Sequence, residues 1–319
     1  LKIGINTKKI RTDDLPAKNL VFLLDVSGSM NYHNKLPLLK KSFKLFIETL
    51  KPEDTIAIVV YAGASGVVLK PTKGSQKEEI LAALNKLEAG GSTNGGEGIK
   101  RAYDLAANNF IKDGINRVIL ATDGDFNVGE TSESSLVNLI QKQAAKNIYL
   151  SIIGFGDGNY KDSTMEMLSN KGNGNYAYID TLHEAKKVLI KEVGASLLTV
   201  AKDVKIQVEF NPFKVKNYRL IGYENRKLND RDFNDDKVDA GEIGAGHKVT
   251  VIYEIEPNLS GQIDSEKKLK YQKKETKSTA KFKNEIAQIK IRYKEPKESK
   301  SSLIIKTARA DYNSFEKSS

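Results

Sequence analysis

Asn19-Leu20-Val21-Phe22-Leu23-Leu24-Asp25 is a short unbroken apolar run that ends in a carboxylate. A run of this length suits a strand, and apolar side chains at both odd and even positions place that strand between two covered faces of a parallel sheet. Its carboxyl end is where open α/β sheets form their ligand crevice, at the point where the winding reverses. The chain continues as Val26-Ser27-Gly28-Ser29. If it stays extended, residues 25, 27 and 29 point to one side, and one carboxylate and two hydroxyls converge while Gly28 keeps the backbone compact. A second apolar run, Arg117-Val118-Ile119-Leu120-Ala121-Thr122, ends in the same way at Asp123. Thr93 lies in a loop rich in glycine (Gly90, Gly91, Gly95, Gly96) that is flexible enough to bring a hydroxyl to the same place and leads at once into a helix.

Asp25, Ser27, Ser29, Thr93 and Asp123 therefore read as one divalent-metal site. Oxygen donors with two carboxylates suit a hard cation that keeps waters, so Mg2+ is expected, with Mn2+ or Ca2+ able to substitute. Few negative ligands leave such an ion electrophilic, and an outside Asp or Glu carboxylate can replace a water. Asp125 has two readings, a carboxylate capping the turn before Asn127 and a residue holding a metal-bound water or a serine hydroxyl.

The rest of the first two-thirds alternates strand and helix patterns. Thr55–Tyr61, Arg117–Thr122 and Tyr149–Phe155 read as buried strands. Apolar stripes at helical spacing run through Leu36, Leu39, Phe43, Phe46, Ile47 and Leu50, through Ile80, Leu84 and Leu87, and through Ile99, Ala102, Tyr103, Ala106 and Phe110. Further helices are expected near Leu136 to Ala145 and Ala185 to Leu198, in βα units throughout. The fold class is α/β, with a doubly wound, mostly parallel sheet flanked by helices. Beyond about Ala201 the period changes to two. Val204–Phe210, Tyr218–Tyr223, His247–Ile255 and Glu285–Tyr293 read as strands of a second, all-β, sandwich-like domain. Leu1–Ile5 alternates likewise and is expected to pair with those C-terminal strands. The domains expected are 1–18 as strand and linker, 19–199 as the metal-bearing domain, and 200–319 as the β domain with a Lys-rich loop at about 258–284.

Asn19–Met30, Ala121–Gly129 and Ile152–Asp157 resemble a bacterial group of von Willebrand factor type A proteins. Phe210-Asn211-Pro212, Tyr218–Arg226, Asp232–Asp236, Asp239–His247 and Ile291–Pro296 are similar to the domain of unknown function that follows the A domain in that group. The resemblance implies that Asp25, Ser27, Ser29, Thr93 and Asp123 form a metal-ion-dependent adhesion site. It also implies a bacterial envelope location, with a leader that is removed and a possible lipid anchor. The chain starts at Leu1 without Met and stops at Ser319, so it reads as processed or trimmed.

The 319 residues include no Cys, which removes disulfides and thiolate metal sites, and no apolar stretch reaches membrane-spanning length. The formal charge is +10. Much of the excess lies in Lys267, Lys268, Lys270, Lys273, Lys274, Lys277, Lys281 and Lys283, a solvated loop that attracts anions without specificity. No specific nucleic-acid partner is expected. Asp230, Asp232, Asp235 and Asp236 read as an acidic turn in preference to a second calcium loop. His33, His183 and His247 are scattered, and Ser27 and Ser29 lack the nucleophile elbow and a positioned base. The glycines of Gly154–Gly158 miss the dinucleotide spacing and read as a turn. The expected function is therefore non-enzymatic: metal-dependent binding of an acidic group on a protein or surface polymer. A metal-assisted hydrolase and an electrostatic nucleic-acid binder are the alternatives.

Overall fold

The computed structural model describes residues 1–62, 64–91, 95–124, 126, 133–156, 162–192, 198–222, 227–259, 282, 284–296 and 298–309. Two units result. One comprises Leu1–Thr7, Val200–Gly241 and Lys248–Ser319, and the other Lys8–Thr199 and Glu242–His247.

In the larger unit the apolar runs become strands β2 (Lys18–Asp25), β3 (Thr55–Ala62), β4 (Ala64–Lys73), β5 (Ile115–Thr122), β6 (Ile148–Phe155) and β7 (Tyr176–Ile179). They form one sheet in the order β4-β3-β2-β5-β6-β7, parallel except for β3 with β4. The chain moves from β2 outward to β3 and β4 and then returns past β2 to β5. The winding thus reverses at β2.

Helices cover both faces: α1 (Leu36–Glu48), α2 (Lys77–Asn85), α3 (Gly95–Asn108), α4 (Glu133–Ala144), α5 (Asp162–Lys171) and α6 (Leu182–Ala185), the last running into a π-helical segment Lys186–Glu192. Strand β2 is buried at all positions, and its alternation splits the core. Leu20, Phe22 and Leu24 join Leu39, Phe43, Phe46 and Ile80 on one face, while Val21 and Leu23 join Ile99, Tyr103, Leu136 and Leu168 on the other. The Phe22 ring meets Phe43 edge-on at 4.6 Å between centroids.

Several elements differ from the sequence expectation. The order is not βα throughout, because β3 and β4 form an antiparallel pair at the sheet edge. Phe110 falls beyond the end of α3 and is exposed. Gly95 and Gly96 stand inside the first turn of α3 and are buried, so they serve close packing and not loop flexibility. Residues 193–197 of the last expected helix and Tyr223 of an expected strand lie outside the described residues.

The smaller unit is all-β. Strands β1 (Lys2–Asn6), β8 (Thr199–Phe210), β9 (Val215–Ile221), β11 (Lys248–Pro257), β12 (Glu285–Lys294) and β13 (Ser302–Arg309) make two sheets, β1-β11-β9 and β8-β12-β13, while the short β10 (Gly241–Gly244) falls almost wholly in the larger unit. The N-terminal strand pairs antiparallel with β11, Ile3 opposite Val251. Ile3, Val251 and Ile289 centre an apolar layer completed by Ile206, Val208, Leu220 and Ile291, with contributions from both sheets.

At the amino end of β2, Lys18 and Asp54 form a buried ion pair with Nζ and Oδ2 2.8 Å apart and side chains only 4% and 0% exposed. The backbone N–H groups of Lys18 and Lys51 donate to the same carboxylate at 2.9 Å each, so its acceptor sites are well used. Removing one partner of such a pair strands a buried charge. Asp54→Ala is expected to lower stability by about 3–5 kcal/mol, read as a fall in the urea midpoint with unchanged slope.

Candidate metal centre

Asp25 closes β2 and is fully buried. Its Oδ1 accepts from the Ser27 backbone N–H at 2.9 Å, and its Oδ2 accepts from the Tyr61 hydroxyl at 3.1 Å and the Thr122 hydroxyl at 3.2 Å. Strand register supplies both hydroxyls: Tyr61 lies opposite Asp25 on β3, and Thr122 ends β5 one step beyond the Leu24–Ala121 pair.

After Asp25 the chain does not stay extended, as the alternation argument assumed. Ser27 is extended (φ −62°, ψ 163°), and Gly28–Asn31 then forms a 3-10 turn. The convergence survives because the turn brings the Ser27 and Ser29 hydroxyl oxygens to 3.0 Å from each other. Ser27 is buried and Ser29 exposed, so the cluster opens outward on the serine side. The second loop is tied to the first: Gly28 N–H donates to Gly91 O at 3.3 Å, and Gly90 N–H to Val26 O at 2.7 Å. Gly91 has φ +81°, a conformation that glycine adopts without cost. Thr93 and Asp125 lie outside the described residues.

Asp123 follows β5 and joins Asp25 across the crevice, near enough that its charge helps raise the Asp25 pKa. Burial is the leading cause of that rise above 3.8, and the Ser27 and Tyr61 hydrogen bonds oppose it. Tyr61 is pushed well above the ordinary tyrosine range by burial and then by the Asp25 charge, so it remains a neutral O–H donor. Lys35 Nζ donates to Asp123 Oδ2 at 2.8 Å.

Sequence reasoning missed Tyr61, Thr122, Phe126 and Lys35. Phe126 meets Tyr61 edge-on at 5.5 Å between centroids, and its ring occupies the space beside Gly95, where an added Cβ would lie 2.4 Å from it. It thereby locks the Asp123 loop to the start of α3. Tyr61 and Thr122 could have been found by laying the strand ends side by side; Lys35 carries no comparable local signal.

The donor chemistry fits a hard divalent ion. The Ser27 and Ser29 hydroxyls lie together beside the buried Asp25 carboxylate, the Asp123 charge is near enough to act on Asp25, and among the described residues no group of three or more His, Cys, Asp or Glu converges as an alternative cage. The acidic turn is closed by the chain's own cations. Lys205 donates to the carbonyls of Asp232 and Asp235, Lys294 to Asp203 Oδ2 and the Asp236 carbonyl, and Arg292 to Asn234 Oδ1.

The raised Asp25 pKa fixes a sign. The folded state holds this proton more tightly than the unfolded chain, so Asp25's contribution is fully present below 3.8 and is lost as pH rises through the raised folded value. At pH 7, above the unfolded value, holding this carboxyl buried in the metal-free fold is therefore a cost. Asp25→Asn should therefore raise the Tm in chelator at pH 7, with the difference from wild type closing as pH falls toward 4; an equal or lower Tm at pH 7 contradicts it.

Residues 19–192 match the family described as von Willebrand factor type A domain, and residues 195–319 match the one described as Uncharacterized protein YfbK, C-terminal. The chain is 48% identical over 304 residues to Uncharacterized protein YfbK of Escherichia coli (strain K12), covering 95% of this chain and 52% of that protein. Inter alpha-trypsin inhibitor, heavy chain 4 of Mus musculus is 25% identical over 280 residues, covering 81% of this chain and 29% of that one. The chain thus spans about half the length of the first relative and under a third of the second. Among solved structures, von Willebrand factor type A from Catenulispora acidiphila superposes with a TM-score of 0.52 at 16% identity, covering 97% of this chain and 73% of that one, a likeness of fold. Domains of this kind commonly serve as protein-interaction modules. With the reversed winding at β2, the converging loops and the match over residues 19–192, the chain belongs to the von Willebrand factor type A family and carries a YfbK-type C-terminal domain.

Proposed function

We propose that this chain is a non-enzymatic interaction module that binds an acidic group of a protein or surface polymer through a divalent cation. The observation that carries this reading is the convergence of Asp25, Ser27, Ser29 and Asp123 at the carboxyl ends of two adjacent strands, in a crevice open on its serine side. Thr93 is the fifth donor. Mg2+ is the preferred ion, with Ca2+ or Mn2+ as substitutes. A bound ion supplies a Lewis-acidic coordination position for an outside Asp or Glu carboxylate. The chain's own residues do the rest: Tyr61 and Thr122 orient the Asp25 carboxylate, and Phe126 fixes the Asp123 loop.

The metal-bearing domain is assigned to 19–199. The β domain, 200–319 with the strand within 1–18, presents it. The resemblance to bacterial envelope proteins supports action at the cell envelope, in the periplasm or at the surface, with a lipid anchor through a removed leader as one form of attachment. Among the described residues no helix is long and apolar enough to cross a membrane.

Isothermal titration of Mg2+ into wild type is expected to show one saturable site that falls below detection in Asp25→Ala and Asp123→Ala. Capture of an acid-bearing partner from envelope extracts should be lost in chelator. Uptake that survives either substitution refutes the assignment. Divalent-dependent turnover of phosphoester or peptide substrates would favour a hydrolase, and nucleic-acid binding indifferent to Asp123→Ala but lost in salt would favour the electrostatic alternative.

A further inference from the structure

Lys35 is built into the centre. It stands immediately before α1, its N–H donating to Tyr32 O at 2.9 Å and its carbonyl accepting from Leu39 N–H at 2.8 Å. Its aliphatic stem lies across Gly156, a residue with φ +95° at the end of β6, where an added Cβ would come within 2.7 Å of Lys35 Cε and 2.9 Å of Cγ. The glycine thus leaves a slot that the stem fills. The ammonium sits 5.5 Å from the Tyr32 ring centre and 2.8 Å from Asp123 Oδ2, with the Lys35 and Asp123 side chains 17% and 4% exposed.

We infer that Lys35 is a tethered counter-cation that competes with the divalent ion for Asp123 and so sets the affinity of the centre. This rests on the metal-binding reading above. The ammonium uses one oxygen of a carboxylate that the ion needs and places a positive charge beside the ion's position, in surroundings that screen poorly. Its long stem can swing toward solvent when the ion enters, so the competition is finite and not a block. The same contact offsets the repulsion between Asp25 and Asp123 in the metal-free protein. An affinity held down in this way makes occupancy responsive to the ambient divalent concentration, because the empty state carries its own stabilising charge.

The test is Mg2+ titration calorimetry on wild type, Lys35→Met, Lys35→Gln and the charge-keeping Lys35→Arg at low salt, with Tm measured in chelator and in saturating Mg2+. Both neutral variants should bind Mg2+ about tenfold or more tightly, while Lys35→Arg stays near wild type. Their Tm in chelator should fall and their gain on adding Mg2+ should exceed that of wild type. Equal or weaker Mg2+ binding in folded Lys35→Met and Lys35→Gln overturns the inference while leaving the metal site standing. If wild type shows no uptake and a neutral variant does, with that uptake lost on adding Asp25→Ala, competition by Lys35 is supported in its strongest form. If none of the four proteins takes up Mg2+, the metal reading fails and this inference fails with it.

Discussion

The crevice depends on a carboxylate that is buried, among the described residues, without a cation of its own. Asp25 and Asp54 are equally inaccessible, one at each end of the same region of the sheet, yet they differ in their partners. Asp54 has the Lys18 ammonium and two backbone N–H groups, which makes it a closed structural ion pair. Asp25 has, among the described residues, only neutral donors and a second carboxylate nearby. Taking an ionised group out of water is costly unless charge of the opposite sign comes with it. The fold therefore keeps Asp54 satisfied and Asp25 in electrostatic deficit. That difference separates a structural acid from a candidate ligand more sharply than burial or sequence context does.

Precision at the crevice comes from the sheet and from close contacts that hold the loops to it. Tyr61 is fixed by β3, touches Phe126, and donates to Asp25, so one side chain couples the first and third loops. The second loop is held by backbone hydrogen bonds to the first, and the start of α3 presses on the Phe126 ring. Gly98 brings α3 close to β2 and β3: a Cβ there would lie 3.0 Å from Tyr61 Cβ and 3.1 Å from Leu23 Cδ1.

The parts legible in the sequence were those encoded locally. Continuous apolar runs announced β2, β3, β5 and β6, and period-two alternation announced β1, β8, β11 and β12. Strand β4 escaped because Ala64–Lys73 mixes Gly66 and Pro71 with lysines, a composition tolerated at a sheet edge, where only one neighbour has to be satisfied. Helix α5 escaped because its ten residues bury little more than Met165 and Leu168. The positions of Asp25 and Asp123 at strand ends were legible because each closes a continuous apolar run. Lys35 was not, since its contact with Asp123 spans 88 positions and depends on a slot at Gly156 that only the folded sheet creates.

Total charge is a poor guide to this chemistry, and the two acidic clusters show why. The formal charge of +10 would by itself point to anionic partners everywhere. In the β unit, however, Lys205, Lys294 and Arg292 are turned inward onto Asp203 and the Asp230–Asp236 turn, and their ammonium and guanidinium groups take the carbonyls that a calcium loop would use. Those cations hold the turn in place and close it to an external ion. At the β2–β5 crevice Lys35 pairs with Asp123 alone, while Asp25 has only neutral donors among the described residues, so the two acids are only partly compensated inside a basic protein. On the proposed reading, such a partly compensated anionic pair with an exposed serine beside it would draw in a small cation, and that cation would in turn draw in an anion. The sign of the proposed partner would then follow from local arrangement at the strand ends and not from the chain's overall charge.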